Sequence, residues 1–136
     1  MSRAFRFLVS GVAVALMALA ISVQAQDPPA APKPSNKWRI PCSGYAYSAG
    51  TVQFRVSRPD SPDLDVTANV AKGDSDSQVA KDIRDAFKAA LPKDNFHVET
   101  DDGQDVLLKA RGGQKDYLVA FVSLTVEGVS VRMKRE

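Results

Sequence analysis

Thr51 to Arg58 alternates between apolar and polar side chains. Val52, Phe54 and Val56 fall on one face; Thr51, Gln53, Arg55 and Ser57 fall on the other. A period of two with one apolar face predicts a half-buried strand. Pro59 and Pro62, with Asp60 and Ser61 between them, end it in a turn. Asp63 to Val70 alternates again with Leu64, Val66, Ala68 and Val70 inward, so the two strands are expected to pair as a hairpin.

The period then changes from two to 3.6. Gly73 breaks the strand, and Ser75-Asp76-Ser77-Gln78 fits a capping box, in which the Ser75 hydroxyl accepts from the Gln78 amide and the Gln78 side chain reaches back. Val79, Ile83, Ala86, Phe87, Ala90 and Leu91 recur at helical spacing, with Lys81, Asp82, Arg84, Asp85 and Lys88 opposite. Asp76 and Ser77 suit the positive end of the helix dipole, and Pro92 stops the element. The unit from Val66 to Leu91 resembles strand–helix modules of phage-tail and other surface-assembly proteins. That pattern is generic to any strand–glycine–capped-helix unit and identifies no family.

Four more strands are expected. Phe96 to Thr100 points Phe96 and Val98 inward, turns at Asp101-Asp102-Gly103, and returns over Asp105 to Arg111. After Gly112-Gly113-Gln114, Tyr117 to Val126 is apolar on both faces: Leu118, Ala120, Val122, Leu124 and Val126 on one, Tyr117, Val119 and Phe121 on the other. Two apolar faces predict a strand that is central or covered twice. Glu127-Gly128 turns into a last strand, Val129 to Met133. The order β-β-α-β-β-β-β predicts an α+β fold: a two-layer sandwich with one amphipathic helix on a mostly antiparallel sheet.

The longest apolar run lies ahead of all this. Arg3 and Arg6 precede a nearly unbroken apolar stretch from Phe7 to Ile21, and Val23-Gln24-Ala25 supplies small residues at the positions a signal peptidase reads. Residues 1–25 read as a secretory signal peptide cut before Gln26. The run is shorter than the roughly 20 apolar residues a spanning helix needs, so no membrane span is expected after cleavage. The mature protein is expected to be periplasmic or secreted. Residues 26–37, QDPPAAPKPSNK, hold four prolines and no large apolar side chain, and predict an extended tether. Residues 38–136 are expected to form one domain.

Charge narrows the partners. The precursor carries 18 basic and 16 acidic side chains. The leader removes Arg3 and Arg6, which leaves a neutral mature chain and argues against nucleic acid. The distribution is uneven: residues 26–59 are +4, residues 60–105 are −7 and residues 106–136 are +3. Two readings are open: neighbouring strands neutralise one another, or the two ends build a basic patch for an anionic surface.

Candidate chemistry is sparse. Cys42 is the only cysteine, so no internal disulfide can form, and it is either buried or an intermolecular thiol. His97 is the only histidine and sits on the outward phase of its strand beside Glu99. A hydrolytic triad needs a nucleophile with a base and an orienting acid, and no such set is evident. A zinc site draws several Cys or His ligands. Asp101, Asp102 and Asp105, or Asp74 and Asp76, could gather oxygens for calcium, but neither set has the spaced Asp-x-Asp-x-Asp-Gly pattern, and aspartate favours turns without any metal. No cofactor or metal is expected, and no enzymatic activity.

What remains is surface. Trp38, Tyr45 and Tyr47 sit in a segment with Pro41, Gly44 and Gly50 and no clear period. Either the segment crosses an open edge or face of the sheet and buries Trp38, or it presents an aromatic contact patch, since Trp, Tyr and Arg are enriched at interfaces. The candidate binding residues are Trp38, Tyr45 and Tyr47, with Arg132, Lys134 and Arg135 as a basic flank. The expected function is an exported, non-enzymatic binding module of the bacterial cell envelope that recognises a protein or envelope polymer, a class that includes inhibitors of exported hydrolases. The alternatives are a structural subunit of an envelope or secreted assembly and a small carboxylate-dependent hydrolase. Mass spectrometry of the exported protein is expected to show a chain beginning at Gln26; an intact Phe7–Ile21 run would make it an anchored protein instead.

Overall fold

The structure, a computed structural model, describes residues 33–136. The leader, and the tether up to residue 32, lie outside the described residues. The elements are β1 (Lys37–Gly44), β2 (Gly50–Ser57), β3 (Leu64–Val70), α1 (Asp76–Ala90), β4 (Phe96–Asp101), β5 (Asp105–Ala110), β6 (Leu118–Leu124), β7 (Val129–Val131) and β8 (Lys134–Arg135). All ladders are antiparallel, and the fold is α+β.

The strands divide into two sheets, where one was expected. The larger runs β4-β5-β1-β7, with β8 also on β1; the smaller runs β3-β2-β6. The added element is β1, read above as aperiodic. Trp38, Ile40 and Cys42 do alternate inward, all buried. Pro41 hides the pattern, because proline argues against a central strand. It is tolerated because it pairs with Asp105, the end of the β5 ladder. Its missing N–H also explains the split last strand. Cys42 pairs with Val131 and Arg39 with Lys134 in one unbroken register. Between them Arg132 donates to the Pro41 carbonyl at 3.1 Å, and Pro41 has no N–H to return.

The long apolar strand is not central. Among the described strands β6 is bonded only to β2, and it carries a bulge. Gln53 pairs with Ser123 but Phe54 with Phe121, so Val122 is the extra residue. One inserted residue reverses the side-chain phase. Tyr117 and Val119 are therefore buried before the bulge and Val126 after it, while Phe121 and Val122 stay 43% and 47% exposed.

One core fills the space between the sheets and the helix. α1 sends Val79, Ala80, Ile83 and Phe87 inward. The Phe87 ring meets Phe54 of β2 with centroids 5.1 Å apart, and Tyr117 meets Phe96 of β4 edge-on at 4.9 Å. The Ser75 hydroxyl caps the helix by accepting from the Gln78 amide at 3.3 Å. The reciprocal half of the capping box is absent, because Gln78 donates its side chain forward to Asp82. The fold also reaches back into the segment read as tether: Ser35 pairs with Tyr117 ahead of β6.

Phe87→Ala is expected to cost about 3–5 kcal/mol by leaving a cavity against Phe54, a large share of a typical total stability of about 5–15 kcal/mol. Urea denaturation measures it; a midpoint indistinguishable from wild type would remove Phe87 from the core.

Candidate functional site

Residues 45–48 carry the chain from the larger sheet to the smaller one. Their backbone is bonded on both sides. Tyr45 donates to the Gly128 carbonyl at 3.0 Å and Tyr47 to that of Glu127 at 2.9 Å. On the opposite side Ala46 donates to the Asp74 carbonyl at 2.9 Å and accepts from the Gly73 amide at 2.8 Å. The Ser48 hydroxyl accepts from the Glu127 amide. The crossover is thus a short extended piece wedged between the β6–β7 turn and the start of α1.

That backbone sets the side chains. Ala46 is fully buried, and Tyr45 and Tyr47 on either side of it project outward, 48% and 66% exposed. Their rings meet edge-on with centroids 5.5 Å apart. The close approach depends on two glycines. A Cβ at Gly44 would lie 2.1 Å from the Gly128 carbonyl oxygen, and one at Gly128 would lie 2.2 Å from the Tyr47 ring; both positions have positive φ. The result is a fixed pair of exposed aromatic rings on a backbone with little freedom to move.

The other sequence-nominated residues do not join this pair. Trp38 is 6% exposed, and its indole N–H donates to the Tyr117 carbonyl at 3.0 Å. It is a core residue that ties β1 to the start of β6. Arg132, Lys134 and Arg135 are exposed along the β7–β8 edge, and the register carries them away from Gly44 toward Trp38. They form a separate basic edge. None of the three makes an ion pair among the described residues.

The uneven charge distribution is largely internal complementarity. Arg39 of β1 is held by Asp101 and Asp105 at 2.9 Å each and by Glu136. Lys37 pairs with Glu136 at 3.0 Å. The two cations beside Glu136, Arg39 first, pull its carboxyl down to about 2. Glu99 is lowered by His97 and then Lys109, each within hydrogen-bond distance. These charges lie over Leu107, which is buried although it pairs with Arg39 on the outer face.

Cys42 and His97 occupy opposite faces of the larger sheet. Burial pushes the Cys42 thiol up to about 12, so it is held neutral and enclosed. His97 is exposed beside Glu99. Asp101 and Asp105 are directed at Arg39, and the Asp76 carboxylate accepts from the Ser77 amide. Among the described residues no three His, Cys, Asp or Glu side chains are placed to hold a metal ion.

One feature was not visible in the sequence. Asp74, whose carbonyl anchors Ala46, lies beside Asp82 one helical turn and more away. Asp82 is raised to about 6, by burial first and by Asp74 second. No spacing rule marks residues on a loop and a helix as neighbours; only the wrapping of the loop around the helix start brings them together.

No known family model matches this chain, and no characterised protein aligns with it. No helix among the described residues is long and apolar enough to cross a membrane.

The acid pair predicts a pH signature. Asp82 titrates higher when folded than its ordinary value near 4, so ionising it opposes folding. Stability is expected to rise as pH falls from neutral through about 6. Glu136 and Glu99 act oppositely: their lowered values favour the folded state above the usual carboxylate range, and that contribution is lost as pH falls through it. Asp82→Asn is therefore expected to raise the melting temperature at neutral pH and to leave it unchanged near pH 4. Equal effects at both values would contradict the assignment.

Proposed function

We propose that this chain is an exported, non-enzymatic binding module of the bacterial cell envelope, periplasmic or secreted, that recognises a protein or an envelope polymer through Tyr45 and Tyr47. One observation carries the reading. Two large aromatic side chains are held outward, one ring edge-on to the other, on a crossover bonded at both sides. Exposed tyrosines offer large contact area with few rotors to freeze, which is how such residues anchor interfaces. Arg132, Lys134 and Arg135, in no ion pair among the described residues, form a separate basic edge that would favour acidic partners. Inhibition of an exported hydrolase falls within this class.

A second reading, a structural subunit of an envelope or secreted assembly, is supported by β6. It is an edge strand with Phe121 and Val122 exposed, and such an edge can accept another strand. Assembly through Cys42 finds no support in its position, since the thiol is enclosed inside β1. For a carboxylate-dependent hydrolase, two facing acids in a cleft would be needed. Four clefts on the described residues are each lined by at most one carboxylate.

The test compares the mature chain with a Tyr45→Ala/Tyr47→Ala variant, each immobilised and exposed to envelope extract and to purified cell-wall polymer. The variant is expected to keep its melting temperature and to weaken retention of the partner by about 30-fold, or roughly 2 kcal/mol. Undiminished retention would remove the tyrosines from the site. Self-association of the wild-type chain on sizing, abolished by Phe121→Lys, would favour the assembly reading.

A further inference from the structure

The pole opposite the tyrosines is built differently. Here the C-terminal end of α1, the start of β4 and the end of β5 enclose a cleft of about 270 Å³. Its apolar floor is Leu91, Phe96 and Val98; its rim carries Lys88, Lys93 and Arg111. A second cleft of about 230 Å³ continues on the far side of Phe96 and is lined by Arg58.

The rim cations are uncommitted. Among the described residues none of Lys88, Lys93, Arg111 or Arg58 makes an ion pair. Arg111 is positioned without being neutralised: its Nε donates to the Lys93 carbonyl at 2.8 Å and lies 3.4 Å from the Phe96 carbonyl. Arg58 stacks over the Phe96 ring, 5.7 Å from its centroid, and its buried Nε has no hydrogen-bond partner. The negative end of the α1 dipole accounts for Lys88 and Lys93 in part. It does not account for Arg111 just after β5 or Arg58 after β2, nor for the apolar floor beside Arg111. The contrast with the outer sheet face is direct, since there Arg39 and Lys37 are each matched by carboxylates.

We propose that this cleft is a binding site for a small organic anion: a phosphate or carboxylate carried on an aromatic or short aliphatic body. The body would lie on Leu91, Phe96 and Val98, and the charge would sit among Lys88, Lys93 and Arg111. The volume is near the lower end of small-molecule sites, roughly 300–1,000 Å³, which suits one ring or a short chain with one anionic group. Desolvated by the floor, an anion there gains more from each guanidinium or ammonium group than it would on an open surface. The site is independent of the tyrosine surface.

Phenyl phosphate is the probe, titrated into the ¹⁵N-labelled mature chain, with inorganic phosphate and benzyl alcohol supplying charge or body alone. The expected result is a saturable shift of the His97, Val98 and Gly112 amides, with each partial probe at least about tenfold weaker. Lys88→Glu/Lys93→Glu is expected to weaken phenyl phosphate by about tenfold or more, while charge reversal at two exposed lysines away from the cleft, Lys72→Glu/Lys81→Glu, leaves it unchanged. Should the first variant fail to fold, Lys88→Gln/Lys93→Gln replaces it with the same readout. Absence of saturation, equal binding of inorganic phosphate, or equal loss in the two charge-reversed variants would overturn the proposal.

Discussion

β1 is hydrogen-bonded along both of its edges, and the rest of the molecule depends on that. On one side β5 brings in the β4–β5 hairpin; on the other β7 and β8 close the sheet. Its inner residues, Trp38, Ile40 and Cys42, supply one wall of the core, and Trp38 reaches across to the carbonyl of Tyr117 in the other half of the structure. Its outer residue Arg39 gathers three carboxylates. With a single cysteine there is no covalent staple, so the relation of the two sheets is held by this strand, the core behind it and the helix that faces both.

The same strand leads into the crossover at residues 45–48. A chain that leaves one sheet to join another must expose polar backbone at the corner, and those groups need partners. Here the partners are Asp74 and Gly73 on one side and Glu127 and Gly128 on the other. Satisfying the corner immobilises it. A fixed corner carrying two exposed rings would bind with little ordering cost, which is the physical link between this topology and the proposed recognition role.

Charge divides the surface into two regimes. Over the outer face of the larger sheet, opposite charges meet across adjacent strands and are mutually satisfied. At the end of α1, cations line an apolar cleft that has no carboxylate in its lining among the described residues. Paired charges serve register and solubility; unpaired ones around a concave apolar floor have chemistry to offer a ligand.

Local rules were enough for the elements whose neighbours in space are neighbours in sequence. The β2–β3 and β4–β5 hairpins and the helix with its Ser75 cap were legible, because period, turn chemistry and capping act within a few residues. The core positions of α1 followed from the helical stripe except Ala80, which it did not include, and the outward phase of His97 followed from the alternation along β4. Everything that hung on a distant partner was not legible. β1 is a strand only because β5, β7 and β8, about 60 to 100 residues later, present edges to it; its own pattern was broken by Pro41. β6 was read as central or covered twice because both its faces are apolar, and the bulge at Val122 that leaves Phe121 and Val122 exposed comes from its register against β2. The tyrosines could be nominated from composition, but their exposure, the burial of Trp38 and the separation of the basic edge were decided by tertiary structure. Asp74 beside Asp82, and the approach of both Arg58 and Arg111 to Phe96, carry no mark in the sequence, because side chains brought together by packing share neither a period nor a spacing.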